Sequence, residues 1–228
     1  MLQEVRDHKK DRDSELTRKL ILDAAEKLFS ERGFAGTSVR DISEASGVSQ
    51  PLIHHHFGSK KMLYHEVKKR AIERFWERWI HRTTSEDGKN LKPDLLLSEG
   101  IETLFWFVRD NENVIRLGIW ACLEGDTALW PGEKESIELL AQEIARAQEA
   151  GVINPDVDPR MFTLMVEAVI IFWWQYRSNL IRLFVDEDEK NLDKVLDDLD
   201  RKYLDNVLKI FSGCKTGARH EEGKEHRN

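Results

Sequence analysis

The chain has 228 residues, 40% of them hydrophobic, with 42 Asp+Glu against 35 Lys+Arg for a formal net charge of −7. That much apolar content excludes a wholly disordered chain and fits one large domain or two small ones. With 5 Pro, 13 Gly and few β-branched runs it also argues against a sandwich or barrel, and only Cys122 and Cys214 are present, too few for a disulfide framework or a four-thiolate zinc site.

The first fifteen residues are dominated by charge and lack the apolar stretch of a signal peptide. Leu16, Leu20, Ile21, Ala24, Ala25, Leu28 and Phe29 then fall on one stripe of a 3.6-period helix, and Gly33 supplies its stop. A short helix is predicted over 38–46 with Thr37 as N-cap, ended by Gly47. Ser49 can cap a second short helix over 50–57, with Pro51 tolerated in its first turn. Gly58-Ser59 breaks the chain, and a longer helix is expected over 60–82. Residues 83–90 are polar and read as a linker. Beyond it helices are expected over 94–109, 112–123, 133–150, 159–184 and 190–211, with Asp158-Pro159 as a cap and Gly151 as a stop. The longest strongly apolar segment, 168–174, falls far short of the about 20 residues that a membrane span needs, so a soluble cytoplasmic protein is expected. The reading is all-α throughout. Its divisions are an arm over 1–14, a reading head over 15–60, a connecting helix over 61–82, a larger helical domain over 91–212 and a tail over 213–228, with both ends expected to be mobile.

Charge is unevenly placed. The first 82 residues carry 17 Lys+Arg and 13 Asp+Glu, a net +4, which leaves −11 for the rest. A basic front end can bind a polyanion while the acidic remainder stays away from it, although +4 alone is also ordinary scatter. The informative stretch is 37–63, T-S-V-R-D-I-S-E-A-S-G-V-S-Q-P-L-I-H-H-H-F-G-S-K-K-M-L. It reads as two short helices joined at Gly47, where a residue without Cβ can take positive φ. Ile42, Ala45, Val48, Ile53 and Phe57 can share a small core with the first helix, leaving Gln50, Pro51, Leu52, His54 and His55 outward. This is a helix-turn-helix, whose second helix fits the major groove.

The stretch resembles the DNA-binding segment of the tetracycline-repressor (TetR) family. The resemblance rests on A-A-x-x-L-F at 24–29, G-F at 33–34, T-S-V-R-D-I at 37–42, A-S-G-V-S at 45–49 and H-F-G-S-K-x-x-L at 56–63, in one ordered register. It implies that Arg40 enters the major groove, where a bidentate arginine–guanine contact discriminates by roughly 1–3 kcal/mol. It implies further that Gln50 pairs with adenine, that Pro51 and Leu52 touch thymine methyls, and that Lys60 contacts phosphate, with Thr37 and Ser49 as additional phosphate donors. His54 and His55 stand where many relatives have aromatic residues, often Tyr, that touch phosphate or base; here the contact depends on protonation. Taken without the register, Arg40 is a solvated charge and Lys60 with Lys61 a capping pair. His56 is expected to pack or bond within the head. A metal site at the three adjacent histidines is excluded, because successive helical residues point ~100° apart.

All seven Trp lie at or after position 76. The resemblance implies a small-molecule cavity among the middle helices, with Phe105, Trp106, Trp120, Trp130, Phe172 and Trp173 as candidate lining and Arg116, Glu167 and Gln175 as polar anchors. The bland alternative is ordinary core packing and a dimer seam. Glu167 interrupts a nearly all-round apolar helix and needs a partner: Arg116, a cationic or hydroxyl-bearing ligand, or the dimer surface. The last two long helices resemble the family's dimerisation pair, which would place two heads on a near-palindromic duplex site. The function implied is a ligand-responsive repressor that releases its operator when a small molecule binds. The alternative is a dimeric DNA-binding regulator without an effector, controlled by a protein partner or by abundance. An enzyme is disfavoured: the chain has no Gly-rich phosphate loop, no H-E-x-x-H, no G-x-S-x-G and no thiol placed with a His. Neither cofactor nor metal is expected.

Overall fold

The computed structural model describes residues 2–83, 92–185 and 191–212, with backbone only for 2–11, 83, 94 and 212. Among these residues all regular structure is helical: α1 (Leu2–Arg32), α2 (Val39–Ser46), α3 (Gln50–Phe57), α4 (Lys60–Thr83), α5 (Pro93–Asp110), α6 (Glu112–Leu123), α7 (Glu133–Glu149), α8 (Pro159–Leu180) followed by a 3-10 turn (Ile181–Leu183), and α9 (Leu192–Ser212). The chain forms two compact units, one of Met1–Ile80 with Trp106–Ser136 and one of His81–Phe105 with Ile137–Asn228. The expected tail and most of the expected linker (84–90) lie outside the described residues.

The first unit is built on α1. Ile21, Leu22, Ala25, Leu28 and Phe29 bury against Ile42 of α2, Val48 and Ile53 and Phe57 around α3, Leu63, Tyr64 and Val67 of α4, and Leu117 of α6. Each large apolar side chain so buried contributes roughly 1.5–3 kcal/mol. Three sequence expectations change here. The segment read as an arm is helical from Leu2. Leu16 and Leu20 belong to the predicted stripe but are exposed, and Leu22 takes the inward place instead. Ala45, expected in the shared core, is exposed. Ion pairs add to the α1–α4 packing: Glu26, buried, accepts from Arg70 and Arg74, Asp23 accepts from Arg70, and Arg18 pairs with Glu66.

α6 grips the end of α1 through one face. Asn113, Arg116, Trp120 and Glu124 recur at helical spacing. Ser30 Oγ donates to Asn113 Oδ1 (3.1 Å), Arg116 Nε and Trp120 Nε1 both donate to the Ser30 carbonyl (3.1 and 3.2 Å), and the Phe34 and Ala35 N–H groups donate to the Glu124 carboxylate (3.1 and 2.9 Å). These bonds satisfy a carbonyl and two amides at a helix end that would otherwise need water. They also account for α6 lying in the same compact unit as α1.

In the second unit, Asp158 caps α8 by accepting from the Arg160 and Met161 N–H groups. α8 packs on α9 through Phe162 against Phe211, and through Trp173 stacked on Tyr203 with centroids 4.4 Å apart. Asp200 of α9 is 1% exposed and accepts from Trp173 Nε1 (2.8 Å) and Arg177 Nη1 (2.7 Å). Burial pushes its carboxyl above the usual range in spite of both donors.

Candidate nucleic-acid interface

The head presents α2, a tight turn and α3. Ser38, not Thr37, is the N-cap of α2: it forms a capping box with Asp41, each side chain reaching the other's backbone N–H. Thr37 is 1% exposed, and its hydroxyl proton is shared between the Gly33 and Leu28 carbonyls (2.9 and 3.2 Å). Thr37 therefore drops out as a side-chain phosphate donor. The α2 cap is displaced by one residue because Thr37 is pulled into the end of α1.

The turn rests on Gly47 at φ 71. Two serines wrap it: Ser43 Oγ donates to the Val48 carbonyl (2.7 Å), and Ser46 Oγ donates to the Ile42 carbonyl (2.7 Å) while accepting the Val48 N–H (3.2 Å). Neither serine was singled out from sequence; their positions four residues and one residue before a turn glycine were the available signal.

α3 buries Ile53 and Phe57, and its exposed face carries Gln50, Pro51, Leu52, His54 and His55. Ser49 precedes it as an exposed N-cap whose side chain makes no capping bond, so its hydroxyl is available. Arg40 projects from α2 with its side chain 77% exposed, paired along its own helix with Glu44 (3.0 Å). An exposed pair of this kind is weak and screened by solvent, so a competing acceptor can displace it. His56 is half-buried, and burial with the charges of His55 and Arg18 lowers its pKa, in keeping with a residue packed inside the head.

Two groups are held more tightly than the sequence reading expected. Lys60 Nζ donates to the Phe34 and Thr37 carbonyls (2.7 and 2.8 Å) and stands 4.1 Å over the Phe34 ring. Of its three N–H donors one remains, so Lys60 first ties the start of α4 to the 34–37 turn. His54 is clasped to the end of its helix: its carbonyl accepts the Gly58 N–H (2.8 Å), and its Nδ1 lies 2.9 Å from the Gly58 carbonyl.

The candidate ligand residues do not gather in one unit. Trp106, Arg116, Trp120 and Trp130 belong to the first unit, and Phe105, Glu167, Phe172 and Trp173 to the second. Arg116 gives its Nε–H and Trp120 its Nε1–H to the Ser30 carbonyl, Trp130 packs on the head's core, and Arg109 stacks over Trp106 at 4.4 Å. Phe105 and Trp173 are core residues, Glu167 is half-buried, and Phe172 is 52% exposed together with Gln175. Among the described residues no cluster of three or more His, Cys, Asp or Glu can hold a metal ion, and no helix is long and apolar enough to cross a membrane.

The comparisons with known proteins agree with this geometry. Residues 21–67 match the model of bacterial regulatory proteins of the tetR family, and residues 99–195 match the tetracyclin repressor-like C-terminal domain. The HTH-type transcriptional repressor AcnR of Corynebacterium efficiens is 29% identical over 162 residues, covering 68% of this chain and 78% of that protein. Among solved structures, a transcriptional regulator, SCO4942 of Streptomyces coelicolor, superposes with a TM-score of 0.67 at 21% identity, over 86% of this chain and 98% of its own. AibR, solved in complex with isovaleryl coenzyme A and operator DNA, superposes with a TM-score of 0.63 at 17% identity, over 88% and 100%. Two family models, one on the reading head and one on the helices that follow it, together span more than half of the sequence, and the chain belongs to the tetR family of bacterial regulatory proteins, which are DNA-binding regulators rather than enzymes.

Proposed function

We propose that this protein is a homodimeric transcriptional repressor that reads a near-palindromic duplex with α3 and leaves it when a small molecule binds the second unit. The observation that carries the DNA half is the division of α3: Ile53 and Phe57 anchor it while Gln50, Pro51, Leu52, His54 and His55 face out. A helix with its anchors on one side and short polar and apolar groups on the other suits the major groove. Arg40 and Ser49 flank it as contacts to base and phosphate, and Lys60 contributes its remaining N–H and its charge.

Dimerisation is assigned to α8 and α9. Met161, Leu164, Met165, Ala168, Phe172 and Tyr176 form an exposed row along α8, and Ile210 of α9 is 64% exposed. Such a row beside the Trp173–Asp200 core suits a four-helix seam between two copies. Two heads double the phosphate contacts and steepen the salt dependence of binding.

The effector half is supported by unsatisfied atoms in the second unit. Thr103 Oγ1 and Trp174 Nε1 are buried without a hydrogen-bond partner among the described residues. Leaving a buried donor unpaired costs about 1–3 kcal/mol, which a ligand oxygen would recover. Acyl thioesters, the class of molecule bound in the AibR complex, carry such oxygens beside an apolar chain and head the panel to be tried. A hundredfold loss of DNA affinity requires about 2.7 kcal/mol of differential ligand binding. The test has two parts. Genomic fragments selected by the purified protein give the operator and its neighbouring genes. Titrating that operator complex against acyl thioesters, fatty acids and sterols then follows release; unchanged operator affinity at saturating concentrations of a molecule that raises the protein's melting temperature refutes the effector model.

A further inference from the structure

We infer that His54 is a base-reading residue that selects adenine or cytosine, not a phosphate contact; this rests on α3 being the reading helix. The argument is one of proton bookkeeping. A carbonyl oxygen can only accept, so the 2.9 Å contact between His54 Nδ1 and the Gly58 carbonyl requires the proton on Nδ1. In the neutral ring Nε2 is then an acceptor. The orientation is held from both sides, because the His54 carbonyl also accepts the Gly58 N–H at 2.8 Å, and Gly58 takes φ 72 at the end of α3. The His54 side chain is exposed on the face that carries Gln50 and Pro51.

An acceptor directed at DNA discriminates sharply. Phosphate oxygens only accept, so they meet a neutral Nε2 lone pair against lone pair. In the major groove guanine presents N7 and O6 and thymine presents O4, all acceptors. Only the exocyclic amino groups, adenine N6 and cytosine N4, donate there. A tyrosine hydroxyl at this place would donate or accept and would serve phosphate or base alike. The Gly58 clasp removes that ambiguity from His54.

The test uses a randomised duplex library at pH 8.5, with wild-type protein and His54→Ala. The substitution is at an exposed helical position and leaves the Ile53–Phe57 anchors in place. One base position should lose its preference in the variant, and the preferred base there should be adenine or cytosine. That base is then replaced by an analogue lacking the amino group, purine for adenine or 2-pyrimidinone for cytosine. Wild-type affinity should fall about five- to tenfold and that of His54→Ala by less than twofold. Guanine or thymine at that position, an equal analogue penalty in both proteins, or a loss spread evenly over all sequences overturns the assignment. A wild-type protein that enriches no sequence fails the DNA-binding reading itself, whereas enrichment that is unchanged by His54→Ala overturns only this inference.

Discussion

Gly33→Ala tests the grip of α6 on the head. Gly33 sits at φ 73, in the left-handed region, and a Cβ there would strike the Glu124 carboxylate and stand 2.8 Å from Trp120 Cε3. Gly47 is the control: its φ is 71, and a Cβ there meets nothing within 4 Å. Both substitutions incur the left-handed penalty of about 1–2 kcal/mol. Only Gly33→Ala also displaces the indole that donates to Ser30 and the carboxylate that receives the Phe34 and Ala35 N–H groups. Overpacking of this sort adds about 1–3 kcal/mol. Gly33→Ala should therefore cost about 1–3 kcal/mol more than Gly47→Ala, and at 2–4 °C per kcal/mol for a chain of this size it should melt several degrees lower. Circular dichroism melts of the two variants side by side measure the difference. Equal melting temperatures would refute the claim that α6 holds the end of α1 by close contact.

Other expectations concern the interface, the ion pairs and the seam. Arg40→Ala should relax sequence preference with its melting temperature unchanged, whereas Lys60→Ala should weaken binding to all sequences, flatten the salt slope by about one and cost about 1.5–3 kcal/mol of stability, because two carbonyls lose a charged donor. Salt-titrated DNA binding with thermal melts separates the two. Lys68 is buried and its ammonium, 2.5 Å away, holds the Asp126 carboxyl below its ordinary range. A depressed native value means that this stabilisation is complete above the unfolded carboxyl range and is lost as pH falls through the native value. The urea stability gap between wild type and Asp126→Asn should be full at pH 7 and shrink below about pH 4; a gap independent of pH would remove the pair from the account. Asp200→Ala should cost about 3–5 kcal/mol in denaturant melts, since it strands Arg177 and the Trp173 N–H, and a loss below about 1 kcal/mol would contradict that network. Phe172→Asp should leave helix content intact and convert a dimer to monomer in sedimentation.

The sequence by itself determined what local physics controls. Apolar period, glycine stops and capping residues placed every helix to within a few residues, apart from the start of α1, and α3 fell at 50–57 as expected because Ser49, Pro51 and Gly58 punctuate it. The outward set Gln50, Pro51, Leu52, His54 and His55 follows from the same period with Ile53 and Phe57 as anchors. What the tertiary structure decided was which polar groups were already spent. Thr37, a sound cap by composition, is drawn inward by carbonyls nine and four residues earlier, and the ammonium of Lys60 is taken by carbonyls more than twenty residues away. Arg116 and Trp120, chosen as ligand groups for their chemistry, are held by a carbonyl 86 and 90 residues distant. A residue type advertises the bonds it can make; only the folded chain assigns them, because a hydrogen bond closes over ångströms in space whatever the separation along the sequence.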